Sequence, residues 1–122
     1  MATAKSFEEL GVWKNGKKFT VLIYKVTNSK TFSSDFSFRD QLRRASVSII
    51  SNIAEGFERN GNKEFIRFLK IAKGSAGEIR AQLYIAFELD YISNSEFKEL
   101  YEEINLISKQ LSALITYLRK SV

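Results

Sequence analysis

Positively charged side chains recur at helical spacing in the middle of the sequence, where Lys63, Arg67 and Lys70 are separated by four and three residues. On an α-helix such residues share one face, so the three cations would form a row. A row of this kind binds phosphates and releases their counterions, but it reads few base edges. The candidate nucleic-acid-binding residues are Arg43, Arg44, Arg59, Lys63, Arg67, Lys70 and Lys73. The alternative interpretation is a solvated helix face without a ligand.

Glycines extend the same row toward the C-terminus, since Gly74, Gly77 and Ala81 continue its spacing. A glycine inside a helix costs about 1 kcal/mol relative to alanine, so each requires a reason. Close approach of another helix or of a phosphate backbone would supply one. The alternative is that both glycines are simply tolerated on a solvated face.

Enzyme chemistry has few residues available, because the sequence contains neither histidine nor cysteine. Disulfides, thiolate metal sites and the commonest general base are therefore excluded. Glu64 and Glu78 lack the histidines that accompany a carboxylate-bridged metal centre in a helical bundle. Four further glutamates lie where the last helix is expected to begin, a position that the helix dipole explains. They are Glu96, Glu99, Glu102 and Glu103. We expect no catalytic residue, no cofactor, no metal and hence no enzyme.

Size and charge are those of a small basic protein. The 122 residues are enough for one hydrophobic core, so we expect a single domain over residues 1–122. Counting 19 basic against 14 acidic side chains gives a net charge of +5, which suits either nucleic acid or an acidic protein partner. The N-terminal residues lack the apolar region of a signal peptide, and no segment is apolar enough to span a bilayer. We therefore expect a cytoplasmic protein without a membrane partner.

The elements that position these side chains are predicted to be helices. Strand-like alternation never persists, and the chain has no proline, so breaks must come from clusters of glycine, serine and asparagine. These breaks leave helical segments at about 6–28, 37–58, 63–90 and 94–119. Short loops between long helices predict an all-α fold, an antiparallel up-down-up-down four-helix bundle.

Apolar stripes support this assignment. In the last segment Ser93 and Glu96 predict a capping box at the helix start. The stripe of that segment is Phe97, Leu100, Ile104, Ile107, Leu111, Leu114 and Leu118. The first segment has a core arc composed of Trp13, Gly16, Thr20, Ile23 and Tyr24.

The second segment carries apolar residues on two separate arcs. One arc, which includes Leu42, Ile49 and Ile53, is expected in the core. A second arc lies some 100–150° away, and one small core cannot easily bury both. A second apolar stripe favours a partner surface, whereas the alternative is that Ile50 and Phe57 are covered by a neighbouring loop. The candidate oligomer-interface residues are Val47, Ile50, Ala54, Phe57, Gly74 and Gly77.

A polar row runs between those arcs. Its members are Gln41, Arg44, Ser48, Asn52, Glu55 and Arg59. It is either a solvated face or a polar contact, in which Arg44 could pair with Glu55 of a neighbouring subunit. Asn52 adjoins the core arc, so we expect it to be partly buried with its amide hydrogen-bonded.

These segments also carry a recognisable pattern. Residues 12–14, 41–49, 51–56, 63–65, 68–69 and 71–75 read VWK, QLRRASVSI, SNIAEG, KEF, FL and IAKGS. The pattern resembles the bacterial 23S rRNA intervening-sequence (S23) four-helix-bundle family over about residues 7 to 120. Two positions differ from the usual family sequence, because Ile50 replaces a proline and Ser33 stands where Phe-Pro is common. The first difference should straighten the second helix.

The resemblance implies a small bundle that assembles into a homopentamer. Related bundles are accessory proteins of diversity-generating retroelements, in which a basic pentamer binds a reverse transcriptase and nucleic acid. Carried over to this sequence, that role would favour Arg43, Arg44, Lys63, Arg67 and Lys70. Two hypotheses remain open: a homo-oligomeric scaffold that holds RNA or DNA, and a purely protein-binding or self-assembling module whose charges only maintain solubility.

Overall fold

The protein is helical throughout the described part of the chain. A computed structural model describes residues 4–120. A 3₁₀ turn at Phe7–Glu9 precedes five α-helices, which are α1 Gly11–Val26, α2 Lys30–Ser33, α3 Phe36–Glu58, α4 Asn62–Glu88 and α5 Asn94–Lys120. The four predicted segments correspond to α1, α3, α4 and α5. Among the described helices, none has both the length and the apolar character needed to cross a membrane.

The four long helices pack around one core. Helix α1 packs against α3 and α5, α3 packs against α4, and α4 packs against α5. Helices that follow each other through short connections run antiparallel, so the predicted all-α four-helix bundle is confirmed. Each helix turns one apolar stripe inward. The fully buried side chains include Phe19, Ile23, Leu42, Ile49, Ile53, Leu69, Ile79, Leu83, Leu100, Ile104, Ile107 and Leu111.

Helix boundaries differ from the predicted ones mainly in the first half of the chain. Helix α1 begins at Gly11 rather than near residue 6, because buried Leu10 has an extended backbone with φ −73° and ψ 128°. The predicted loop after α1 contains the short helix α2. This turn forms because Ser29 accepts a hydrogen bond from the Phe32 amide at 3.3 Å and the Phe32 side chain is fully buried.

Side-chain caps fix the starts of α3 and α5. The Ser93 amide donates to Glu96 Oε1 at 2.8 Å, and the Glu96 amide donates to Ser93 Oγ at 3.0 Å, which confirms the predicted capping box. Asp35 caps α3 by accepting from the Phe38 amide at 3.2 Å. Its other carboxylate oxygen accepts a hydrogen bond from the Tyr91 hydroxyl at 2.9 Å. The loop after α4 is thereby attached to the start of α3.

Candidate nucleic-acid interface

The cationic row on α4 is exposed along its whole length. Lys63, Arg67 and Lys70 face solvent because the core stripe of α4 occupies the opposite side of the helix. The Arg67 side chain is 62% exposed. Lys73 directly precedes Gly74 in the sequence, so it lies beside the row, and it is exposed as well. A polyanion can therefore reach all four charges.

Arg59 joins this row from the end of α3. The guanidinium carbons of Arg59 and Arg67 each lie 5.1 Å from the ring centroid of Phe68, within cation–π range. Both arginines therefore contact the same buried ring from the solvent side. We refer to this region as the α4 basic surface. It consists of Arg59, Lys63, Arg67, Lys70 and Lys73.

Ion pairs at this surface leave the arginines available. Arg59 pairs with Glu55 at 2.9 Å, and Arg67 pairs with Glu64 at 3.4 Å. All four side chains are 44% exposed or more, and exposed pairs contribute only about 0–1 kcal/mol. A phosphate group can therefore displace either carboxylate at little cost.

The outer face of α4 changes character after Lys70. Gly74 and Gly77 are exposed, and apart from the adjoining residues and the local backbone of α4, no described atom lies within 4 Å of a Cβ placed on either one. Ile71 and Ile85, on the same face, are 46% and 51% exposed. No contact within residues 4–120 accounts for the glycines, so this half of the face is open to another molecule. We call it the α4 apolar surface, consisting of Ile71, Gly74, Gly77, Ala81 and Ile85. The exposed carboxylate of Glu78 lies among these residues.

The second apolar arc of α3 is partly used within the chain. Ile50 lies against α1, where its Cγ2 would be 2.9 Å from a Cβ on Gly16. The Phe57 ring packs edge-on against Phe65 of α4, with centroids 5.8 Å apart. Val47, Ile50, Ala54 and Phe57 are all half-buried. Neighbouring helices, rather than a loop, therefore cover Ile50 and Phe57, which favours the intramolecular alternative for these two residues.

Arg43 and Arg44 lie apart from the α4 basic surface. Arg44 precedes Arg59 by fifteen positions, or about 22 Å along α3. Arg43 is engaged internally, since its Nε donates to Thr27 Oγ1 at 2.8 Å. Arg44 is exposed. Arg44 therefore lies at the other end of α3 from Arg59, where it lines a groove with Ser75 and Glu78 of α4.

The polar row on α3 faces a groove toward α4. As predicted, Asn52 is half-buried and its amide is hydrogen-bonded, donating to the Ser48 carbonyl at 2.8 Å. Ser48 and Ser75 share a hydrogen bond of 2.9 Å across the two helices. The groove beside them has a volume of about 380 Å³ and is lined by Gln41, Arg44, Ala45, Ser48, Ser75 and Glu78.

The exposed side of α1 holds functional candidates that the sequence reasoning missed. Tyr24 was expected on the core arc, but it is 43% exposed, and Trp13 is only half-buried. Helix α1 also carries four lysines and no acidic residue. That charge pattern is visible in the sequence and could have directed attention to this helix. The segment also has many apolar residues, which drew the interpretation toward the core instead of toward its lysines.

The acidic side chains include one with a perturbed proton affinity. Burial raises the pKa of Glu103, nearby Glu99 raises it further, and Lys18 acts in the opposite direction. Within residues 4–120 no three acidic side chains are grouped closely enough to hold a metal ion.

Comparison with known proteins identifies relatives of the whole bundle. The model of the 23S rRNA-intervening sequence protein family matches residues 8–113. A crystal structure from Bacteroides thetaiotaomicron, described as a protein with unknown function from the S23 ribosomal protein family, superposes with a TM-score of 0.78. The two sequences are 26% identical, and the alignment covers 85% of this chain and 97% of the other. No curated protein matches the sequence significantly.

Proposed function

The chain belongs to the 23S rRNA-intervening sequence protein family, and on this basis we propose that it is a cytoplasmic, non-enzymatic, homo-oligomeric scaffold that binds nucleic acid. One observation carries the proposal. The outer face of α4 is cationic in its first half, whereas its second half carries small and apolar residues around one exposed carboxylate, Glu78. The first half suits phosphates, and the second half suits another copy of the chain.

The nucleic-acid role rests on the α4 basic surface. Its charges are exposed and its arginines contact Phe68, whereas its ion pairs are weak enough to exchange. A surface of this kind contacts phosphates and makes little distinction between sequences or between RNA and DNA. A single copy offers few contacts, so its binding should be weak and readily abolished by salt.

Self-association rests on the α4 apolar surface. The absence of side chains at Gly74 and Gly77 lets another helix approach the backbone, and contact there would bury Ile71 and Ile85. The family resemblance leads us to propose five subunits. In a closed oligomer the α4 basic surface is repeated by symmetry, so one long polyanion can touch several copies. Each additional contact is then effectively intramolecular and raises the avidity.

A second candidate function is a purely protein-binding or self-assembling module. The exposed side chains of Ile71, Ile85 and Leu89 favour it, since they offer apolar area to a protein and nothing to a phosphate. The partner would be a reverse transcriptase or another protein of an RNA-related complex. In this case the cations would only maintain solubility.

Two solution measurements separate these functions. Light scattering at micromolar concentration should report an oligomer, and a monomer would exclude the assembly. Fluorescence anisotropy with labelled RNA and DNA should show affinity that rises with strand length, falls with salt and is insensitive to sequence. Oligomers that fail to bind RNA or DNA even at low salt would leave the protein-binding module as the function.

A further inference from the structure

The outer face of α1 is a second basic surface, separate from α4. Its lysines are Lys14, Lys17, Lys18 and Lys25, and all four are exposed. At about 100° per residue they fall within about 100° of arc, so they form a single face. Helix α1 contains no acidic residue to neutralise them. This face therefore attracts anions, although the carboxylate of Glu103 on α5 lies near Lys18 and offsets part of its charge.

Aromatic side chains border the lysine face on the side nearest α3. Trp13, Lys17 and Tyr24 lie within about 40° of one another on the helical circle. This line lies next to Gly16 and Thr20, which contact α3. The Lys17 ammonium is 5.6 Å from the centroid of the Trp13 ring. The edge of α1 thus alternates aromatic, cationic and aromatic side chains.

The Tyr24 ring is held in place from α3. The Arg43 guanidinium lies 4.5 Å from its centroid. Arg43 is itself fixed, because its Nε donates to Thr27 Oγ1 at 2.8 Å and Nη2 donates to the Tyr24 carbonyl at 3.4 Å. Thr27 is fully buried. A rigid ring that remains 43% exposed loses little conformational freedom when a ligand stacks on it.

Helix α3 supplies the other wall of an open groove at Tyr24. Its volume is about 390 Å³, and it is lined by Tyr24, Asp40, Arg43, Arg44 and Val47. Asp40 is the single acidic residue among these, and its carboxylate accepts a hydrogen bond from Arg39 Nε at 3.1 Å, which offsets its charge. The exposed Arg44 is available at the opposite wall.

We infer that this α1–α3 groove binds single-stranded nucleic acid, with a base stacked on Tyr24 and a flanking phosphate on Arg44. The strand would continue along α1 to Lys17, which lies seven positions or about 10 Å before Tyr24. Cationic grooves with interleaved aromatic rings are how proteins hold single strands, because unpaired bases offer a free face for stacking. A duplex keeps its bases stacked on one another and can use only the charges. The ring within the α4 basic surface, Phe68, is buried, so stacking distinguishes the two sites. The inference shares with the proposed function only the class of ligand.

The single tryptophan of the chain provides a readout for a strand that extends along α1, because Trp13 lies on the same side of that helix as Tyr24, eleven positions or about 16 Å away. The full chain should be titrated with a single-stranded oligouridine of about 12 nucleotides, a length typical of such sites. We expect quenching of the Trp13 fluorescence, with binding at least about fivefold tighter than for a duplex of equal length. Equal quenching by the duplex, or by polyglutamate, would overturn the inference in favour of a general anion surface.

Variants separate stacking from charge. Tyr24→Ala should weaken oligouridine binding about fivefold or more, whereas Tyr24→Phe should retain it. Tyr84→Ala is the matched control, because Tyr84 lies on α4 and is 50% exposed. An unchanged affinity in Tyr24→Ala, with helical content preserved, would overturn the assignment.

The α4 basic surface can be tested in the same titration. Arg67→Glu with Lys70→Glu should leave the Trp13 quenching by the short strand within about twofold of wild type, because these residues lie outside the α1–α3 groove. Absence of quenching in wild type would exclude the α1–α3 site, whereas the binding of long RNA by the α4 basic surface would be unaffected.

Discussion

A Cβ atom placed on Gly56 of α3 would lie 2.7 Å from the Cβ of Phe68 on α4. It would also lie 3.0 Å from Cδ1 of Phe65, whose ring can rotate, but the Cβ of Phe68 can move only with the backbone of α4. Gly56 therefore sets the separation of the two helices that carry the α4 basic surface. The same contact positions Phe68, the ring that Arg59 and Arg67 contact.

We predict that Gly56→Ala destabilises the protein by about 1–3 kcal/mol, because overpacking forces backbone shifts. Urea denaturation followed by circular dichroism would measure the change. A midpoint equal to that of wild type would show that α3 and α4 can separate without cost.

Substitution of the exposed glycines should have the opposite effect on the fold. Gly74→Ala and Gly77→Ala each introduce a methyl group into open space on a helix, which should stabilise one subunit by about 0.5–1 kcal/mol. If these glycines permit the approach of a second copy, the double variant should also be less oligomeric by light scattering. An oligomer of unchanged size would remove the two glycines from the interface.

The core assignment of α5 is tested by a pair of leucines on that helix. Leu111 is fully buried, whereas Leu106 is 50% exposed. Leu111→Ala should lower the free energy of unfolding by about 2–5 kcal/mol through the cavity it leaves. Leu106→Ala should change it by about 0.5 kcal/mol or less. Similar losses in both variants would contradict the burial of Leu111.

Glu103 should make stability depend on pH in a defined direction. Its pKa is raised from the ordinary value of 4.5, chiefly by burial, so the folded state binds this proton more tightly than the unfolded state. The ionised side chain therefore costs stability above the raised pKa, and the cost disappears as the pH falls below 4.5. Glu103→Gln should raise the melting temperature at pH 7 and have no such effect at pH 3. A lower melting temperature at pH 7 would show that attraction to Lys18 outweighs the effect of burial.

The sequence predicts the long helices well because their apolar residues repeat with the helical period. Side chains in the middle of a stripe, such as Ile104 and Leu111, are buried as expected. The edges of a stripe are less certain, since one position rotates a side chain by about 100°. Tyr24 follows buried Ile23 and is exposed for this reason. An aromatic residue expected in the core is therefore part of a surface groove.

The candidate sites depend on relations between helices that no periodicity encodes. The sequence spacing identifies the row of Lys63, Arg67 and Lys70, which lies within one helix. It does not predict that Arg59 and Arg67 both contact the ring of Phe68, or that Arg43 donates a hydrogen bond to Thr27. Those contacts follow from the packing of α1, α3 and α4.

The charge of the α4 basic surface can be reversed without disturbing the core. Arg67 and Lys70 are exposed, so replacing both with glutamate should leave the helical content and the oligomer size unchanged. The control is Lys98→Glu with Lys109→Glu, which makes the same change in net charge at exposed positions on α5. Any general effect of charge should appear equally in both double variants.

The affinity of these two double variants for long RNA at low salt is the most direct test of the proposed function. We predict that Arg67→Glu with Lys70→Glu weakens binding by about tenfold or more and reduces its salt dependence, because phosphate contacts are lost in every subunit. The α5 control should bind within about threefold of wild type. Equal losses in the two variants, or undiminished binding by the α4 variant, would contradict the assignment of nucleic-acid binding to α4.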